Sequence, residues 1–168
     1  TYHKYGGPGG SAGYWAAFQK ELVLYFEGQI ANTWSVLMHE AFHQYIFYAC
    51  GEISPHSWYN EGYGDYYSGA EVQGSRVLEI GPFLWRRDLI KSKCREGSHV
   101  PLPEFIRYSQ GQYYQRADLC YAQGWSFIFF LNKALPDGHP WRSILPIYLK
   151  VLQETKERDQ AVEAAFKE

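Results

Sequence analysis

The segment His39-Glu40-Ala41-Phe42-His43, with Glu61 placed 18 positions after His43, leaves this chain few ways to fold. On a helix, histidines four apart point the same way, about one turn from each other. Neutral imidazoles at that spacing can grip one Zn²⁺ from one face, and a glutamate beside the first can serve as general base. Glu61 on a second helix, packed across the first, would complete a two-histidine, one-glutamate set and leave a position open for water. Asp65 follows Glu61 by four residues, one turn on. There it can accept a bond from a ligand imidazole and fix its tautomer and aim.

These residues carry a family resemblance. His39-Glu40-x-x-His43 together with Trp58-x-Asn60-Glu61-Gly62-x-Gly64-x-Tyr66 resembles the gluzincin metallopeptidases, the clan of thermolysin and the zinc aminopeptidases. The metzincin pattern does not fit, because the glycine and histidine it wants three and six residues past His43 are Ile46 and Ala49. Tyr121-Ala122-Gln123-Gly124 resembles the Tyr-x-Lys-Gly segment of the zinc aminopeptidases, with Gln123 in place of the lysine. The resemblance implies one Zn²⁺ per chain held by His39, His43 and Glu61, with Glu40 as general base-acid. It also implies that Tyr121, with His56 as a second donor, bonds the oxyanion. The zinc aminopeptidases carry a Gly-x-Met-Glu-Asn edge strand whose glutamate holds the substrate amine. Here the matching stretch begins Gly13-Tyr14-Trp15 and has no carboxylate at that place. Such a strand can still pair with an extended peptide, so Gly13, Tyr14, Trp15, Asn60 and His56 are the expected substrate contacts. Without an amine anchor, an endopeptidase fits better than an aminopeptidase. The layout is similar to that of gluzincin-like families in exported bacterial proteins, which implies a secreted or exported protein acting on peptides or proteins.

Composition narrows the alternatives. The 168 residues are 46% hydrophobic and 18% aromatic, which suits one folded domain. Sixteen basic residues against 18 acidic ones leave a net charge of −2. No Lys/Arg cluster forms a nucleic-acid footprint, and the apolar run around Phe127 to Leu131 is far too short to span a bilayer. Cys50, Cys94 and Cys120 allow one disulfide and a free thiol, or three buried thiols. The absence of Cys-x-x-Cys spacing excludes a thiolate zinc site. The chain opens at Thr1 and reads as an excised or processed piece.

The expected fold is α+β and mainly α, a gluzincin-like catalytic domain over 1–168 with a small β region ahead of a helical bundle. Residues 1–12 read as a flexible glycine-rich opening, 13–30 as the strand region, 31–70 as the zinc-binding helices and 71–168 as a helical remainder. A strand is predicted over Glu21–Phe26, and a helix capped by Asn32 or Thr33 that runs to Cys50. The second helix covers Trp58 to Ala70, where three glycines signal a close neighbour. Further helices are predicted over Phe83–Cys94, from Pro101-Leu102-Pro103-Glu104, over Tyr121–Leu135, near Trp141–Gln153 and over Arg158–Lys167. Arg86, Arg87, Lys91 and Lys93 read as a solvated face. The rival to an enzyme is an inactive gluzincin-like domain, a zinc-braced module that binds peptide or glycan. Glu40 argues against it, since a structural metal site needs no base.

Overall fold

The computed structural model describes residues 12–26 and 28–167. Apart from Ala12, the expected flexible opening over 1–12 lies outside them. The described chain is mainly helical with two small antiparallel sheets, as the α+β, mainly α expectation requires.

Strands β1 (Gly13–Ala16) and β2 (Glu21–Leu24) form a hairpin in the register Gly13↔Leu24 to Ala16↔Glu21. β2 therefore stops at Leu24, short of the expected Phe26. The hairpin lies on α1 (Ile30–Ala49), where the Trp15 ring meets Phe47 and Tyr48 at 6.0 and 5.9 Å. Neither Asn32 nor Thr33 caps α1. The cap residue is Gln29, without a side-chain bond, and the Thr33 hydroxyl donates back to the Gln29 carbonyl.

Helix α2 (Ser57–Ser68) is the centre of the fold, with α1 on one side and α6 (Ala117–Phe129) on the other. Most of its residues are buried. Two of its glycines explain how both neighbours come so close. A methyl group at Gly62 would stand 2.8 Å from the Gly124 carbonyl oxygen on α6, and one at Gly64 would stand 2.7 Å from the His39 ring on α1. Gly69 lies beyond the helix as its C-terminal cap. The face of α2 nearest its start packs Trp58 and Tyr59 on Tyr148 of α7 (Ile144–Thr155), at 5.0 and 4.8 Å. Trp58 also meets Phe166, just past α8 (Arg158–Ala165).

Residues 71–168 are not helical throughout. β3 (Ala70–Gln73) and β4 (Arg76–Ile80) make a second hairpin across Gly74-Ser75. Gly74 has φ +62, a conformation open to glycine and strained for other residues. α3 (Leu84–Arg95), α4 (Leu102–Phe105) and α5 (Gln110–Gln115) follow, and α5 begins with a Ser109/Gln112 capping box. α6 continues as a π-helical turn over Phe130–Ala134. All three cysteines are free, and Cys94 is exposed, so neither expected arrangement holds. Among the described residues, no helix is long and apolar enough to cross a membrane.

The Gly62 contact is with backbone, which cannot swing aside. Gly62→Ala is expected to destabilise the fold by about 1–3 kcal/mol by overpacking the α2–α6 contact. A urea midpoint equal to that of the wild type would contradict this account.

Candidate metal centre

His39 and His43 leave α1 one turn apart and face Glu61 on α2. Their Nε2 atoms stand 3.2 and 3.4 Å from the same carboxylate oxygen, Oε2. One donor atom from each of the three residues lies within 4.8 Å of the others, so the group can hold a metal ion. The donor chemistry fits a divalent cation of the zinc type: two imidazoles and a carboxylate, converging from two packed helices.

What stands behind each imidazole decides which nitrogen is available. His39 Nδ1 faces Asp65 Oδ1 at 3.2 Å, and His43 Nδ1 faces Asn60 Oδ1 at 3.0 Å. Acceptors at both Nδ1 atoms hold a proton there, so Nε2 is the nitrogen that would face a metal, and binding one would release the proton that His39 shares with Glu61. Asp65 thus stands where the sequence places it. Asn60, expected to touch substrate, spends its side-chain oxygen on His43, although it also lines the cleft.

Electrostatics hold the cluster together. Burial works against the carboxylate charge of Glu61, yet His43 and His39 keep its pKa well below the usual range. Burial also opposes charge on His39, but hydrogen bonds to Asp65 and Glu61 outweigh it and raise its pKa to about 10. Tyr114 donates to the other Glu61 oxygen, Oε1, at 2.7 Å. Arg86 Nε lies 2.7 Å from Asp65 Oδ2, an ion contact that misses hydrogen-bond alignment and leaves both atoms without a formal partner.

Sequence reasoning missed Tyr114 and misread Arg86. The Arg86 side chain is only 11% exposed and lies over the Trp85 ring at 3.8 Å and the Tyr121 ring at 4.9 Å. It is not part of a solvated face. The available signal was Ile90, four residues on and buried, which puts Arg86 on the inner side of α3. Nothing local singles out Tyr114, whose role arises only where α5 meets α2.

A cleft of about 480 Å³ opens over the cluster, lined by Gly13, Tyr14, Trp15, Glu40, Tyr114 and Tyr121 beside the three donors. Glu40 Oε2 accepts the Trp15 N–H at 2.9 Å. Tyr121 lies nearly parallel to His39, with ring centroids 6.3 Å apart. Burial first, and then the charge of Glu61, push its phenol above the ordinary range, so it remains a donor. Gln123, two residues on, faces the other way and brackets Val100 by accepting its N–H and donating to its carbonyl. His56 is not in the cleft. It is buried against Tyr148 and reaches Asp159 at 3.3 Å, so its expected contact with substrate and oxyanion is withdrawn.

No family model, curated protein or solved structure matches the chain. The donor set is then the ground on which the site is tested. His43→Ala is expected to abolish stoichiometric metal binding, and unchanged zinc content by atomic absorption would break the ligand assignment. Asp65→Asn should keep the metal but weaken it roughly 10–100-fold in a chelator competition, because the His39 imidazole loses its charged acceptor.

Proposed function

We propose that the chain is a zinc-dependent peptide hydrolase of the gluzincin type, more suited to internal bonds than to removing N-terminal residues. One observation carries the reading. The Glu40 carboxylate lines the same cleft as a three-donor metal cluster, one residue from a ligand histidine. His39, His43 and Glu61 would hold Zn²⁺, which when bound supplies Lewis-acid polarisation of a water and of a carbonyl.

The other steps belong to the chain's own side chains. Glu40 takes the proton of the attacking water on a carboxylate oxygen and delivers it to the leaving amine nitrogen. Tyr121 keeps its phenolic proton and donates it in a hydrogen bond to the oxyanion. Trp15 turns its N–H away from β2, so an extended peptide can lie along this edge of β1. A peptide carbonyl arriving there competes with Glu40 for the Trp15 N–H. Gly13 and Tyr14 line the same wall.

The bond from Trp15 also supports a second reading, in which Glu40 ties β1 to α1 inside a zinc-braced binding module. The carboxylate can serve both purposes, since one oxygen bonded to an N–H leaves the other free to accept a proton. Two substitutions separate the readings. Glu40→Gln is expected to retain zinc and lose essentially all hydrolysis of a peptide library, and a near-normal rate would remove Glu40 as the base. Tyr121→Phe is expected to lower kcat by about 10²–10³ at unchanged zinc occupancy. A wild-type rate would return Tyr121 to a packing role, and a wild type inert toward every peptide would favour the binding module.

A further inference from the structure

Glu61 has two carboxylate oxygens, and the fold treats them differently. Oε2 is the oxygen that both histidines face, at 3.2 and 3.4 Å from their Nε2 atoms. Oε1 instead accepts the Tyr114 hydroxyl at 2.7 Å. That is the length of a charge-assisted O–H···O⁻ bond, roughly twice as strong as a neutral one. Glu61 is buried, so water competes little for either oxygen.

Tyr114 is brought there by a short, well-anchored helix. The Ser109/Gln112 capping box closes the start of α5. The adjacent Tyr113 is fully buried, packs on Phe105 at 5.9 Å and donates to the Cys120 carbonyl at 2.8 Å. Tyr113 thereby fastens α5 to α6. The next residue is turned by about 100° around the helix, which carries Tyr114 off that anchor and into the wall of the cleft. Its ring stands 6.3 Å from that of Tyr121. The hydroxyl therefore reaches Glu61 from an anchored backbone.

The number of oxygens that Glu61 lends decides what a metal can do here. Two imidazoles and one oxygen make three donor atoms and leave the fourth position of a tetrahedral ion for water. A glutamate that ligates through both oxygens makes four and fills that position. We propose that Tyr114 is a positioning residue, whose hydroxyl keeps Glu61 to the single ligating oxygen Oε2 and so keeps one coordination position open. Swinging Oε1 toward the metal would break the Tyr114 bond. A hydrogen bond to a charged group is worth roughly 10-fold or more in such an equilibrium. The inference rests on the metal-ligand assignment and deepens the hydrolytic reading, but it does not depend on a peptide being the substrate.

The test replaces zinc with Co²⁺, whose visible absorption weakens as its coordination number rises. Tyr114→Phe removes only the hydroxyl from a ring that is 42% exposed, so the fold is expected to be kept. The wild type is expected to give the strong band of a low-coordinate cobalt, which shifts on titration with azide as the anion takes the open position. In the variant the band should lose intensity, and azide should bind roughly 10-fold more weakly. Spectra and azide affinities that match between the two proteins would return Tyr114 to a packing role. A wild-type band that is weak and indifferent to azide would also overturn the proposal, because Glu61 would then ligate through both oxygens. A wild type that takes up no cobalt would defeat the ligand assignment and this inference together. Peptide hydrolysis is scored separately. A wild type inert toward peptides that passes the cobalt test defeats the peptidase reading alone, whereas an active one whose cobalt ignores the substitution defeats only the role of Tyr114.

Discussion

The structure turns on a polar seam between two buried helices. On α1 the seam consists of Ser35, His39 and His43, spaced four apart. On α2 it consists of Glu61, Asp65 and Ser68, and the two rows run antiparallel. Ser35 and Ser68 exchange hydroxyl-to-carbonyl bonds at 2.9 and 3.0 Å, His39 lies between Asp65 and Glu61, and His43 meets Glu61 and Asn60. A buried carboxylate without partners costs several kcal/mol, far more than a displaced methyl group. Sliding one helix by a turn would strand Glu61, so the seam fixes the register of α1 on α2. The groups proposed for chemistry are thus also the groups that decide how the central helices pack.

Close packing around the seam follows from what flanks it. Gly64 leaves room for the His39 ring, and Gly62 lets α6 approach from behind. That approach brings Tyr121 over the cluster while Gln123 and Trp125 stay buried. Past the seam, Phe42, Tyr59, Tyr63 and Tyr67 form a run of aromatic contacts, with centroids 4.8 to 5.9 Å apart. Burial raises the Tyr63 phenol to about 12. Such a shell keeps water away from one side of α2, so the polar groups of the seam interact in a low-dielectric setting.

Much of this was legible in the sequence where chemistry and helical period coincide. His39, His43, Glu61 and Asp65 could be placed because one spacing, four residues, serves both a helix face and a ligand set. β2 and most helices were legible from apolar runs and breakers, whereas β1 was expected only through the family resemblance and its pairing with β2 was not read. The β3–β4 hairpin was missed although Gly74-Ser75 between Val72 and Val77 is a two-residue hairpin signal. Its exposed Val77 and Leu78, and the charged residues around them, blurred the alternation that marks a strand. Arg86 was misread because a guanidinium on an amphipathic helix ordinarily faces water, and its partner Asp65 is 21 positions away. Tyr114 depends on where α5 meets α2, and no local pattern encodes that.

Glu40 shows how one residue of offset separates roles on a helix. Each residue turns α1 by about 100°, so the side chain after His39 cannot join the seam. It faces β1, where the Trp15 N–H at 2.9 Å holds one carboxylate oxygen. Had Glu40 pointed into the seam, it would have competed with Glu61 for the imidazoles, and a second buried carboxylate would have needed its own counter-charge. Set against a strand edge, it accepts a backbone hydrogen bond and remains beside the cleft. The strand therefore does more than wall the cavity, because the group that borders the substrate space also aims the carboxylate proposed to move the proton.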